Sequence, residues 1–314
     1  MIAIGIDVGG TSIKGATIKS DGTVLDRFSM PVDKKAAPEV EVGKLCELVN
    51  ECLATHTYDE EVLGIGIGIP GSIDNSSGRI VKLTNLPTWN DFALALFMQE
   101  RCKLPVKMIN DADAAAFGEA KLGRGKDVDY MLMFTLGTGV GGGIVINKEI
   151  YNGNKGMGAE LGHITVEHNG RQCGCGRKGC LEAYASATAL INETKKAMEA
   201  HPESKLNDVA KELGIVDARV PFRAEERGDE VAHKLVEEYI MWLGEGLISY
   251  CNIFRPNMIV LSGGVANEGE NLLARVRKYL KDHSYGMPGS APVEVEQGKL
   301  GYDSGKIGAA ALYF

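Results

Sequence analysis

The sequence predicts an α/β fold in two lobes, and three observations carry that prediction. Strand-like and helix-like patterns alternate from residue 1 to about residue 120, as in α/β folds. Two stretches, "IGIDVGGTSIKGATI" and "TLGTGVGGGIVI", each read as strand, Gly-rich polar turn, strand. They lie about one domain apart and suggest a duplicated nucleotide-binding fold whose halves face each other. The length, 314 residues, suits about two domains.

The elements follow in order. "IAIGIDVGG", "SIKGATIKS" and "TVLDRFSMPV" predict three short strands, with "SDG" turning between the last two. Apolar positions recur at helical spacing across "EVEVGKLCELVNECLATHT". "LGIGIGIPG" is a buried strand that ends at a Pro-Gly turn, and "VKMIN" is another strand. "DADAAAFGEAKLG" follows as a helix with Asp at its start. In the second half, "YMLMFTLGTGVGGGIVINKEI" gives strand, turn and strand. "SATALINETKKAMEAH" and "DEVAHKLVEEYIMWLGEGLISYCNIF" predict long helices. "NMIVLSGGVA" is a strand running into a Gly-Gly turn before a further helix, and "GKIGAAALYF" is a short apolar closing helix.

Bulk properties narrow the function. Hydrophobic residues make up 44% and charged residues 24%, a mix that supports a large core. The net charge of -8 argues against nucleic acid or an anionic membrane as partner, because phosphate contacts need a basic face. No apolar run approaches the roughly 20 residues of a membrane span. The opening "MIAIGIDVGG" lacks a basic region and a cleavage site, so it reads as a core strand. Of seven Cys, Cys46, Cys52, Cys102 and Cys251 are scattered and read as buried small hydrophobes. An odd count without a disulfide framework suggests a reducing cytoplasm.

The Gly-rich turns point to phosphate. Glycine lets backbone N–H groups approach an anion, and successive N–H groups form nests for it. Asp7, Gly9, Gly10, Thr11 and Lys14 form a first candidate site; Gly137, Thr138, Gly139 and Gly141 form a second. Gly263 and Gly264 in "LSGGVA" add a third turn. Neither hairpin fits GxxxxGK[ST] or a GxGxxG at a βαβ start, so neither is a P-loop or a Rossmann fingerprint. Tight turns without a ligand are the plain alternative, and three related turns weigh against it. Asp7 would repel phosphate unless a cation such as Mg²⁺ intervenes; the alternative is a turn-capping Asp.

In order along the chain, "IGIDVGGTSIKG", "GIGIPGSID", "INDADAAAFGE", "TLGTGVGGGIV", "GAELGHITVEHNGRQCGCGRKGCLE" and "IVLSGGVA" resemble the ROK family of repressors and sugar kinases. The resemblance runs over nearly the whole chain, and bacterial glucokinases are the most similar branch. It implies the actin/hexokinase-like (ribonuclease H-like) duplicated two-lobe fold with a central cleft. It places residues 1–118 and 301–314 in a smaller lobe and 119–300 in a larger one. It also implies transfer of the γ-phosphoryl of ATP to the 6-hydroxyl of a hexose, glucose first, with Mg²⁺ and a cytoplasmic homodimer. The repressor branch carries an added N-terminal helix-turn-helix, and this sequence starts directly at its first phosphate strand.

On its residues alone, Asp111 suits two roles equally: a general base at the start of a helix, or an ordinary N-cap. The resemblance assigns it as the base, with Asn110 on a sugar hydroxyl. It further nominates Gly71, Asn85, Glu160, His163 and Glu182 as hexose contacts. Two positions depart from the family pattern. Asp113 stands where Asn is common, and is expected on the solvated side of its helix. Ala159 stands where Gly is common.

The loop "GHITVEHNGRQCGCGRKGC" supplies His163, Cys173, Cys175 and Cys180. That His-Cys₃ set suits tetrahedral Zn²⁺, and four protein ligands predict a closed, structural site. Glu160 and Glu182 bracket this loop. His56, His168, His201, His233 and His283 show no partner spacing and read as surface or loop residues.

Overall fold

A computed structural model describes residues 1–55, 58–83, 85–286 and 292–314, the side chain of Lys155 excepted. His56 and the last two residues of the first expected helix lie outside the described residues. The chain forms two compact units. One holds Met1–Asp129, Gly143–Ala159 and Lys299–Phe314; the other holds Tyr130–Gly142 and Glu160–Gly298.

The first unit opens with β1 (Ile2–Val8), β2 (Ser12–Lys19) and β3 (Val24–Pro31). Every residue of β1 except Asp7 is buried, as expected of a strand covered on both faces. β3 alternates half-buried and exposed residues, which marks an edge strand with one wet face. Next comes α1 (Pro38–Thr55), whose buried stripe of Val42, Leu45, Cys46, Val49 and Cys52 is the one the periodicity predicted. It leads into β4 (Val62–Ile69) and a small hairpin of β5 (Ser72–Asp74) and β6 (Arg79–Lys82). Then follow α2 (Leu94–Cys102), β7 (Val106–Asn110) and α3 (Asp111–Leu122). The sheet order is β3-β2-β1-β4-β7. β1, β4 and β7 run parallel, while β2 and β3 are antiparallel.

The second sheet repeats this plan with β8 (Tyr130–Leu136), β9 (Val140–Ile146), β10 (Glu149–Tyr151), β11 (Met258–Ser262) and β12 (Glu294–Gln297). Its order is β10-β9-β8-β11-β12, with β8, β11 and β12 parallel. Each sheet thus starts as a meander and grows by crossovers on the other side of its first strand, which bears out the duplication read from the two hairpins. The connecting helices are α4 (Glu182–Ala185), α5 (Ala187–Ala200), α6 (Lys205–Leu213), α7 (Arg219–Glu226), α8 (Glu230–Phe254) and α9 (Glu270–His283). Ser186 and Asp229 cap α5 and α8 through their side chains. The short α6 and α7 were not among the expected elements; Pro221 falls in the first turn of α7, where a missing N–H does no harm.

The closing helix, α10 (Ser304–Ala310), packs in the first unit. Glycines let its backbone touch other backbones. A Cβ on Gly5 would lie 1.9 Å from the Lys306 carbonyl oxygen, and one on Gly66 1.8 Å from that of Ala309. On the helix side, a Cβ on Gly308 would lie 1.6 Å from the Ala114 carbonyl oxygen of α3. Glu119 of α3 is fully buried and ties the approach segment down: its Oε1 accepts from Leu300 N at 2.7 Å, and its Oε2 from Arg124 N at 2.7 Å.

The four scattered Cys are all buried, as expected. No helix among the described residues is long and apolar enough to cross a membrane. Gly308→Ala should destabilise the protein by about 3 kcal/mol, read as a lower thermal midpoint, because the new methyl meets backbone that cannot yield. Gly43→Ala, in α1 with nothing within 4 Å of the new atom, should instead leave stability unchanged or raise it by about 0.5–1 kcal/mol.

Candidate active site and metal centre

In the first unit, the parallel strands bring the expected residues to one edge. Asp7 on β1 is in register with Gly68 on β4, and Ile69 on β4 with Asn110 on β7. The turn after β1, the Pro70-Gly71 turn after β4 and the start of α3 therefore share the carboxyl ends of neighbouring strands, the usual ligand edge of such sheets. Gly9 N donates to Ser12 O at 3.0 Å and closes the first turn. A Cβ on Gly10 would lie 3.5 Å from the Asn85 side chain, so this turn and Asn85 are neighbours. Thr11 follows in the turn, and Lys14 lies directly across from Asp7 on β2. Burial raises the Asp7 carboxyl above its ordinary range, and the charges of Lys306 and Lys14 oppose that rise.

Asn110, not Asp111, is the N-cap of α3. Its Oδ1 accepts from Ala112 N at 2.9 Å and Asp113 N at 3.3 Å, and its Nδ2 donates to Gly71 O at 3.2 Å. Gly71 sits at φ +90°, a conformation that only glycine adopts easily. Asp111 is then the first helical residue, and its Oδ1 accepts from Ala112 N at 2.9 Å. The helix N-terminus favours its charged form. The expected place of Asp113 is corrected: it is 4% exposed, not solvated. α3 is buried on all sides from Asp113 to Ala120, and a Cβ on Gly143 of β9 would lie 3.4 Å from Asp113 Oδ1.

In the second unit, the turn 137–139 follows β8 and the Gly263-Gly264 turn follows the parallel β11. They adjoin: a Cβ on Gly263 would lie 2.6 Å from Leu136 O. Gly137 and Gly264 face open space, while a Cβ on Gly139 would strike Glu182 Oε2 at 2.3 Å. Gly141 is not in the turn but is the second residue of β9. Glu182 Oε2 accepts from Val140 N at 3.1 Å, and its Oε1 lies 3.4 Å from Cys173 Sγ. Glu182 therefore joins the Gly turn to the Cys loop. A pocket of 740 Å³ opens beside this junction, lined by Thr138, Gln172, Cys173, Glu182, Ser186 and Asn192 among others.

The four expected metal ligands converge. One donor atom from each of His163, Cys173, Cys175 and Cys180 lies within 4.8 Å of all the others. Cys175 Sγ and Cys180 Sγ are 3.7 Å apart, as are Cys173 Sγ and His163 Nδ1. A tetrahedron with Zn–S near 2.3 Å has edges of about 3.8 Å, so the donor set fits that ion. Burial pushes the Cys173 thiol up to about 12, and a bound cation is what would deprotonate it. Glu160 is exposed at the start of the loop, where its carbonyl accepts from His163 N at 3.0 Å.

Comparison with known proteins now bears on this arrangement. A model of the ROK family matches residues 3–314. The chain belongs to the ROK family. It is 36% identical to a glucokinase of Halalkalibacterium halodurans over 312 residues, which cover 98% of this chain and 94% of that one. The crystal structure of a ROK family glucokinase from Streptomyces griseus in complex with glucose and AMPPNP matches with a TM-score of 0.80 at 33% identity. It covers 100% of this chain and 99% of its own. The xylose repressor of Bacillus subtilis is 29% identical over 318 residues, covering 99% of this chain and 76% of the repressor. The fold is accordingly the actin/hexokinase-like one.

Several supports of this ROK protein's site were invisible in its sequence. Tyr250 and Tyr239 of α8 donate to Leu161 O at 2.6 Å and Ala185 O at 2.8 Å, bracing both ends of the Cys loop. Tyr184 accepts from Arg171 N at 2.6 Å and donates to Glu167, and the Arg171 guanidinium stacks 4.5 Å above its ring. Tyr184 sits two residues past Glu182, but nothing in its spacing announces a hydroxyl shared inside a loop. Ala159 has φ +61°, which explains why glycine suits this position: a Cβ there costs roughly 1–2 kcal/mol.

Two outcomes follow. Ala159→Gly should raise stability by about 0.5–1 kcal/mol in thermal unfolding, the relieved strain being partly offset by the looser unfolded chain. Metal analysis of the purified protein should find about one zinc per chain; Cys180→Ser should lose it and lower the thermal midpoint.

Proposed function

We propose that this chain is an ATP-dependent hexokinase acting on the 6-hydroxyl of glucose. The observation that carries the reading is the start of α3: Asn110 holds the cap, which leaves Asp111 at the first helical position. Asp111 then takes the proton of the attacking hydroxyl as general base. Phosphoryl transfer is otherwise a matter of positioning and charge. The residues proposed for phosphate are Gly9, Gly10, Thr11, Lys14, Gly137, Thr138, Gly139, Gly263 and Gly264. Those proposed for the hexose are Gly71, Asn85, Asn110, Glu160, His163 and Glu182. Asp7 would hold Mg²⁺, whose charge would neutralise the phosphates. Zn²⁺ would be structural: His163 would bind it through Nδ1, leaving Nε2 for the sugar. The similarity to glucokinases, one of them crystallised with glucose and AMPPNP, supports both substrates.

The similarity to a xylose repressor favours one other reading, a sugar-binding regulator without catalysis. Other hexoses, N-acetylmannosamine, N-acetylglucosamine, mannose, fructose or allose, are variants of the kinase reading. A coupled assay of ADP release against this sugar panel separates them. Glucose should give the highest kcat/KM. Asp111→Asn should cut kcat by about 10²–10⁴-fold while glucose binding persists. Sugar binding without turnover of any hexose would favour the regulator.

A further inference from the structure

Lys306 is a charged residue where an apolar one is expected. It lies in the closing helix, between Gly305 and Ile307, and is 6% exposed. Burying an ammonium group is costly unless opposite charges surround it. One partner is Asp303, whose Oδ1 lies 2.7 Å from Lys306 Nζ. Asp303 is shared, because its Oδ2 also accepts from Arg27 Nη2 of β3 at 2.7 Å. Arg27 and Lys306 therefore bring two positive charges to one carboxylate.

The backbone beside Lys306 borders the first phosphate turn. Gly305, the residue before Lys306, lies against Asp7: a Cβ there would stand 3.7 Å from Asp7 Cγ. Of the elements packed on β1, β2 contributes Lys14 opposite Asp7, and β4 contributes no ionisable residue. α3, packed on α10, carries Asp111, Asp113, Glu119 and Lys121; Glu119 is bonded to Leu300 N and Arg124 N, and Lys121 pairs with Glu149. The local tally around Asp7 thus includes two lysines from the protein itself, and both of their charges act on its carboxylate.

We propose that Lys306 is a positioning residue that serves, with Lys14, as a built-in counter-cation for Asp7, so that the turn at Gly9–Thr11 accepts a nucleotide's phosphates even without a divalent metal. This rests on the kinase reading and adds to it a residue of the C-terminal helix. The divalent ion then adds to a turn that is already charge-compensated rather than being the condition for any binding there.

The test is equilibrium binding of ADP by calorimetry at pH 8, once with Mg²⁺ and once with EDTA. Thermal melts confirm that each variant is folded. Removing one partly buried charge beside an anion site changes affinity by about tenfold. Lys306→Met should therefore weaken metal-free ADP about tenfold and Mg-ADP much less, widening the ratio of the two dissociation constants. Lys306→Arg should keep that ratio within about twofold of the parent. If the Met variant does not fold, Lys306→Gln, which can keep the hydrogen bond to Asp303 and loses only the charge, must widen the ratio in the same way. An unchanged ratio in a folded neutral variant, with Mg-ADP still bound, overturns the role of Lys306 and leaves the kinase reading standing. Failure of the parent protein to bind ADP in either buffer overturns both.

Discussion

The first unit depends on backbone meeting backbone beneath α10. Side chains normally hold a packed helix away from its neighbour, with helix axes about 8–10 Å apart. Here Gly5, Gly66 and Gly308 remove the intervening Cβ atoms, and the helix settles onto β1, β4 and α3. Two consequences reach the site. The same contact that buries Ile307, Ala309 and Ala310 brings Gly305 against Asp7. It also pins α3, whose first residue is Asp111, through Gly308 against Ala114. The last residues of the chain therefore help to position a carboxylate and a helix start that lie far away in sequence.

The second unit rests on a different constraint. Its Cys loop has little regular structure of its own, so its shape comes from cross-links. Four ligand atoms converge at one end. Hydroxyls from α8 hold its flanks, and Tyr184 with Arg171 and Glu167 holds its middle. Glu182 emerges from this loop fixed at both carboxylate oxygens, one toward Val140 N and one toward Cys173. A metal ion here would act on chemistry only through what it positions, since all four of its tetrahedral places would be filled by protein.

What could be read in the sequence was what repeats or clusters. The duplicated strand-turn-strand pattern announced two sheets, and both have the same strand plan. One His and three Cys in one short loop announced the cluster of candidate metal ligands. Single residues whose meaning depends on a distant partner were not legible. Lys306 looks like any lysine in a tail until α10 is seen to bury it, and Glu119 looks like a solvated helix residue until Leu300 and Arg124 are found on its oxygens. Asp113 was misplaced for a related reason. Spacing along α3 distinguishes faces only when one of them is wet, and this helix is buried on all of them.

The two halves share a plan but treat charge differently at corresponding turns. After β1 the turn follows a carboxylate, Asp7, with Lys14 across the strand and Lys306 on the packed helix. After β8 no charged residue precedes or occupies the turn; the nearby carboxylate is Glu182, which approaches over Gly139 and accepts from Val140 N. Gly137 N already donates to Gly139 O at 3.0 Å. An anion at this second turn must therefore be met by Thr138 and Gly139, or displace Glu182 from Val140. The first turn has lysines at its own carboxylate, whereas the second turn itself offers backbone and hydroxyl dipoles, and the cations near it, Arg171, Lys195 and Lys196, line the adjoining pocket.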